Sequence, residues 1–170
     1  IYSISSCTPL ENFMGLAQDL DRLKTATALV KFAEFIAQEN EDCSSLLRLL
    51  LNSLYVLSKG TKPIRQVVSV FFLKCISLLG YEPDLTSCSA CGQEGDLPFF
   101  SVEYGGCLCT SCAPNVEDAD PLSPQAKEVM RYVFSSADSR IFSFSASDEV
   151  LRQLISMIRK FLSYHLDYKL

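Results

Sequence analysis

The 170-residue chain has one histidine, no acidic residue between Cys43 and Tyr81, and no basic residue between Cys75 and Ala126. Each absence excludes something. No stretch reaches about 18 uncharged apolar residues, so no membrane-spanning helix is read. The lone His165 falls on the apolar stripe of the last helical pattern, so a half-buried, hydrogen-bonded histidine is expected rather than a ligand or a base. A Gly-rich phosphate loop, a Ser/His/Asp arrangement and paired carboxylates beside a nucleophile are all missing, so nothing points to an enzyme. There is no internal repeat and no low-complexity tract. No basic-then-apolar leader ends in a small-residue cleavage site, so there is no sign of secretion. The chain opens at Ile1 rather than methionine, and an upstream segment removed from it is expected.

What is present is a folding chain. Apolar residues make up 48% and the mean hydropathy is +0.17, which argues against disorder. The length suits one ordinary core, or a core plus a small satellite. The net charge is -5 and the pI about 4.9, so the whole chain is a poor glove for nucleic acid. The charge is segregated. Residues 43–81 hold the bases Arg48, Lys59, Lys62, Arg65 and Lys74 without an acid. Residues 75–126 hold Glu82, Asp84, Glu94, Asp96, Glu103, Glu117, Asp118 and Asp120 without a base.

The periodicity predicts helices on both sides of the acidic segment. Residues 1–8 read as a strand end or linker. Thr8 and Pro9 suit the start of a helix through about Leu23, with Phe13, Leu16, Leu20 and Leu23 on one face. TATALVKFAEFIAQEN reads as a second, buried helix ending near Glu39. Asp42 and Ser44 cap SLLRLLLNSLYVL, which Gly60 closes, and Pro63 opens IRQVVSVFFLKCISLL, which Gly80 closes. Ser123-Pro124 starts a helix to about Ser136. A last one runs from about Asp148 with Leu151, Leu154, Ile155, Ile158, Leu162, His165 and Leu166 in one stripe. The expected fold is mainly α: a bundle of about six helices over 9–80 and 123–170. Inserted over 81–122 is a four-cysteine zinc finger with a short β-hairpin.

The zinc expectation rests on CSACGQEGDLPFFSVEYGGCLCTSC, residues 88–112. Cys88-x2-Cys91 and Cys109-x2-Cys112 are two tight knuckles seventeen residues apart, the four-thiolate Zn²⁺ spacing. Four protein sulfurs leave no open position for a catalytic water, so the site is structural. A thiol–disulfide redox pair, a disulfide scaffold and iron–sulfur ligation are the competing readings. Cys107 lies two residues before Cys109 and reads as a bystander. Cys7, Cys43 and Cys75 read as isolated thiols. Four thiolates and one Zn²⁺ bring segment 75–126 to about -10, which opposes any approach to a phosphate backbone.

The succession LLGYEPDLTSCSACG, then F-x-x-x-x-GG-x-LCTSC over Phe100–Cys112, then LSP, then FLSYHLDYKL resembles the RecO family of recombination mediators. The likeness covers roughly residues 9–170. It implies the helical and zinc-finger region of that family, with residues 1–8 as the remnant of a preceding OB-fold. It further implies a cytoplasmic, nucleoid-associated, non-enzymatic role. That role is helping RecA load onto DNA coated by single-strand binding protein, in a RecF-type pathway, and annealing strands. The implied partners are RecR, the acidic C-terminal tail of single-strand binding protein and, for the full-length protein, single- and double-stranded DNA, with DNA binding by this fragment expected to be weak or absent.

The residues add their own suggestion. Arg48, Asn52, Tyr55 and Lys59 share one helix face, and Lys62 and Arg65 begin the next helix across the Gly60 turn. With Leu51 and Phe71 or Phe72 nearby, they would form a basic rim beside an apolar pocket, suited to an acidic peptide ending in an aromatic residue. The bland alternative is a solvated helix face. Arg152, Arg159 and Lys160 are weaker candidates for DNA phosphates. A redox-sensing helical protein and a generic zinc-braced scaffold are the other functional readings.

Overall fold

The computed structural model describes residue 3 and residues 5–9, 11–38 and 41–170. Among these residues five α-helices carry the fold: α1 Leu20–Ile36, α2 Ser44–Lys59, α3 Ile64–Leu78, α4 Pro124–Ser135 and α5 Asp148–Leu166. Three short strands, β1 Phe99–Ser101, β2 Gly106–Leu108 and β3 Asp120–Pro121, lie between α3 and α4.

The two helices expected before residue 40 are in fact one. A 3₁₀ turn at Met14–Leu16 replaces the start of the first, and α1 begins at Leu20. Asp19 sets that boundary, its carboxylate accepting from the N–H groups of Asp21 and Arg22 at 2.9 and 3.1 Å. Leu20 and Leu23, expected on a buried face, are exposed, whereas Phe13 and Leu16 pack against the core. Gly15 explains the turn. A Cβ there would lie 1.9 Å from the Ser58 carbonyl oxygen, so only glycine lets this segment press on the end of α2. Ala37 caps α1; Glu39, where the pattern placed its end, is outside the described residues, as are Ile1, Tyr2 and Ile4 of the expected strand remnant.

The other helix limits follow their caps. Gly60 ends α2 in the left-handed region at φ 65°. Pro63 precedes α3. Ser123 and Ser147 accept from the N–H groups of Ala126 and Val150 at the starts of α4 and α5.

α3 is the hub, packing on α1, α2, α4 and α5. Its apolar circumference explains this: Val67, Val70, Phe71, Phe72, Leu73, Cys75 and Ile76 are all buried. Phe32 of α1 meets Phe72 at a ring separation of 4.7 Å, and Leu151, Leu154 and Ile158 of α5 close the other side. Two buried-side polar groups tie down the chain between α4 and α5. Lys74 Nζ donates to the carbonyls of Phe134 and Ser136, which the end of α4 leaves unpaired. Gln66 Nε2 donates to the carbonyls of Phe142 and Phe144.

The sheet order is β2-β1-β3, antiparallel throughout, with Phe100 opposite Cys107 on one side and Asp120 on the other. The β1–β2 hairpin matches the sequence expectation; β3 is an addition. The core runs unbroken from the helices into this segment through Leu85, Leu97, Phe100, Val102 and Leu108. Among the described residues no helix is long and apolar enough to cross a membrane.

Candidate metal centre and adjoining groove

The two cysteine knuckles are built by local turns. Gly92 N–H donates to the Cys88 carbonyl at 2.7 Å, and Gly92 itself sits at φ 75°, a conformation that favours glycine. The second knuckle turns through Cys112 N–H and Ala113 N–H, both donating to the Cys109 carbonyl. The hairpin brings them together, with Ser89 N–H donating to the Cys107 carbonyl at 2.8 Å. All four sulfurs of Cys88, Cys91, Cys109 and Cys112 lie within 4.8 Å of one another. The Cys91–Cys109 Sγ separation is 3.9 Å. A tetrahedral ion with Zn–S bonds of about 2.3 Å needs sulfur pairs about 3.8 Å apart, so the cage has the right size for one ion. No second cluster of this kind occurs among the described residues.

The electrostatics suit a cation. Burial alone raises the Cys88 thiol, but the N–H groups of Cys109, Ala90 and Cys91 outweigh it and draw the thiol down to about 6. Cys109 N–H lies 3.4 Å from that sulfur. Cys112 is pushed up to about 12 because its proton is shared with Cys109 and Cys91. A bound ion would replace those protons. Cys107 is fully buried in β2, where burial raises its thiol. Cys75 is buried in α3 and raised for the same reason. Neither belongs to the cage.

The acidic insert is held to the helices by their bases. Arg131 and Lys127 of α4 donate to the carbonyls of Leu85 and Leu97 at 3.2 and 3.4 Å. Lys160 of α5 pairs with Asp120. Half-buried His165 places Nε2 2.9 Å from the Val102 carbonyl and packs its ring on Phe161 and Tyr81. Within the insert, Asp118 accepts from Ser101 Oγ and from the N–H groups of Val102 and Glu103.

The basic residues expected to act together go three ways. Arg48, Tyr55 and Lys59 are exposed on α2, Arg48 3.7 Å from Asp138 and Lys59 over the Tyr55 ring. Lys62 instead donates to the Phe144 carbonyl at 2.9 Å. Arg65 lies elsewhere, lining a groove of about 650 Å³ between α1, α3 and α5 with Arg152, Arg159 and Lys160. Its floor includes Ile64, Val68 and Ile155. Phe71 and Phe72 are both fully buried, Phe72 lying beneath the floor. The α5 bases were expected only as weak candidates for DNA phosphates; their meeting with Arg65, nearly ninety residues away, was not legible. Arg65 and Arg152 both pair with Asp148, at 2.7 and 3.1 Å, while Arg159 has no ion pair among the described residues.

Comparison with known proteins places the chain. The family described as "Recombination protein O C terminal" matches residues 17–170. The chain belongs to the RecO family. DNA repair protein RecO of Acetivibrio thermocellus is 34% identical over 168 residues, covering 98% of this chain and 67% of that protein. DNA repair protein RecO of Desulforamulus reducens is 28% identical over 172 residues, 100% of this chain and 66% of its own. That of Caldicellulosiruptor bescii is 42% identical over 119 residues, 66% of this chain and 46% of its own. The chain therefore spans about two thirds of the length of its RecO relatives. The four-cysteine cage and the α5 bases lie within the matched RecO region.

Proposed function

We propose that this RecO-family chain is a non-enzymatic docking platform for DNA repair and recombination, braced by one structural Zn²⁺ on Cys88, Cys91, Cys109 and Cys112. Family membership supports the repair role. The donor set supports zinc: four thiolates in a closed cage favour a tetrahedral, borderline-soft ion and leave no site for a catalytic water. The ion's contribution is to hold the two knuckles together. The insert stays acidic, so it repels phosphate rather than reading it.

The observation that carries the docking reading is the groove between α1, α3 and α5. Four cations ring an apolar floor; Asp148 pairs with Arg65 and Arg152, Asp120 pairs with Lys160, and Arg159 has no ion pair among the described residues. That pairing of charge and apolar surface fits an acidic peptide ending in an aromatic residue, the chemistry of the tail of single-strand binding protein. Arg65, Arg152, Arg159 and Lys160 would face the acids, and Val68 and Ile155 the ring. The α2 set, Arg48, Tyr55 and Lys59, becomes the outlying surface. Within the whole protein this platform would act with RecR and RecA on single- and double-stranded DNA in the cytoplasm, at the nucleoid.

The test is fluorescence polarisation of an acidic, Phe-ending peptide against the 170-residue chain. Binding should weaken about tenfold in Arg159→Ala and again in Arg65→Ala, and weaken with salt. Arg48→Ala should leave it unchanged. Absence of binding at ~100 µM peptide, an affinity of only about -5 kcal/mol, would overturn the groove. Loss with Arg48→Ala and none with Arg159→Ala would move the site to α2.

A further inference from the structure

A second groove, unrelated to the cationic one, runs between α4 and the segment that leads into α5. One wall is a single face of α4: Gln125, Glu128, Val129 and Tyr132, at spacings of three, four and seven. The other wall is Phe144, Ser145, Ala146 and Ser147, and Val150 closes the end. The space is about 390 Å³. Val129 and Val150 are largely buried beneath it, and Tyr132 is fixed by its hydroxyl donating to the Arg140 carbonyl at 2.6 Å.

The 143–147 wall behaves as a lone strand. Exposure alternates along it: Ser143, Ser145 and Ser147 are exposed, Phe144 and Ala146 half-buried. The carbonyls of Phe142 and Phe144 both reach the one Gln66 Nε2, at 3.3 and 3.0 Å, so they point the same way, toward α3. Lys62 Nζ takes the Phe144 carbonyl as well. In extended chain, alternate residues direct their N–H and C=O to opposite edges. The edge carrying Ser143, Ser145 and Ser147 is therefore turned away from α3. The Ser145 N–H and C=O, the Ser143 C=O and the Ser147 N–H have no hydrogen-bond partner among the described residues. Ser143 N–H is spent on the Arg140 turn, and Ser147 C=O on Leu151 N–H. Ser145 thus has both groups free on one side, the arrangement that exchanges two hydrogen bonds with one residue of an antiparallel neighbour.

An unpaired edge beside an apolar trough is the geometry of strand addition. The charge at the rim chooses among peptides. Glu128 and Glu149 are exposed at the α4 and α5 sides, Glu149 has no ion pair among the described residues, and Glu128 pairs only with Arg131, at 3.7 Å. No lysine or arginine lines this groove. We propose that the edge at Ser143–Ser147 binds an extended segment of a partner protein as an added antiparallel strand. The segment would place an apolar side chain over Val129 and Val150, with flanking lysine or arginine beside Glu128 and Glu149. This ligand is opposite in charge to the acidic peptide assigned to the α1–α3–α5 groove, so one chain can hold two different partners at once.

The probe is the acetylated, amidated heptapeptide Lys-Val-Lys-Leu-Lys-Val-Lys, titrated into the ¹⁵N-labelled 170-residue chain. Expected are shifts centred on Ser145, Ser147 and Val129, with Arg65 and Arg159 unmoved. Ser145→Pro removes a donor that the fold does not use and should weaken binding about fivefold to tenfold, while Ser145→Ala should not. N-methylating the peptide at alternate residues should weaken it similarly. Replacing its lysines by glutamates should abolish it. No binding at 1 mM overturns the proposal. So does binding that ignores Ser145→Pro and N-methylation, or an all-glutamate peptide that binds equally. Failure here leaves the cationic groove untouched, because its probe has the opposite charge.

Discussion

Asp118 shows how much one side chain carries in a segment with so little regular structure. Burial opposes its ionisation, but Ser101 Oγ and the N–H groups of Glu103 and Val102 outweigh that and hold the carboxyl below its ordinary value. These three bonds pin the turn between β1 and β2 to the chain running toward β3. Hydrogen bonds to an ionised group contribute about 1.5–3 kcal/mol each before the cost of ordering. Asp118→Asn should therefore lower stability at pH 7 by about 2 kcal/mol, read from urea midpoints. The sign of the pH effect follows from the depressed value. The stabilisation is complete above the unfolded carboxyl's titration near about pH 3.9 and is lost as pH falls through the lower folded value. The Asp118 carboxyl carbon should accordingly titrate below about 3.9 by NMR. A value at or above that, with unchanged urea midpoints, would remove Asp118 from this role. None of it was legible beforehand, because Asp118 stands in sequence as one acid among eight.

At the scale of elements, sequence reading succeeded where the stop signals are local. Gly60, Pro63 and Ser123-Pro124 each act within one turn, and α5 starts at the expected Asp148 behind a Ser147 cap the pattern did not name, so α2 to α5 lie close to where the pattern placed them. The cysteine knuckles were legible for the same reason: each is a four-residue turn. Reading failed at the first helix, where Thr8-Pro9 offers a better-looking cap than Asp19. What decides is tertiary. The close approach of Gly15 to Ser58 leaves residues 14–16 as a 3₁₀ turn, and α1 starts after it. The strand β3 was equally hidden, since Asp120-Pro121 has no strand character and pairs only because Phe99 and Phe100 present an edge. This difference is measurable. Asp19→Ala should cost about 1 kcal/mol, the ordinary worth of a cap, and Thr8→Ala less than about 0.5 kcal/mol. The reverse order in chemical denaturation would restore a helix starting at Pro9.

The whole molecule has one continuous core but two different supports for it. The helices bury Phe32, Phe71, Phe72, Leu151, Leu154 and Ile158. The insert has strands of three, three and two residues, too little sheet to stand alone. It hangs between the sulfur cage at one end and its attachments to α4 and α5 at the other: Arg131 to Leu85, Lys127 to Leu97, Lys160 to Asp120, His165 to Val102. Three of those attachments are part-buried hydrogen bonds to backbone carbonyls and the fourth is an exposed ion pair, each a modest contribution. The insert also shares the helices' core through Leu85, Leu97, Phe100, Val102 and Leu108, and a bound ion is expected to supply the rest of its order. Removing the metal with a chelator should collapse hydrogen-exchange protection across Phe99–Leu108 while Val67–Ile76 of α3 stays protected. Thermal unfolding should drop by more than about 5 °C, since roughly 2 kcal/mol or more is lost from a domain of this size. The helical signal in far-ultraviolet circular dichroism should survive at 25 °C. Cys91→Ser should imitate the chelator, and Cys107→Ser, outside the cage, should leave metal content unchanged. Insert amides that remain protected without metal would mean that the helices hold it unaided. The four sulfurs would then be dispensable to the fold, and their proximity would need a redox explanation instead.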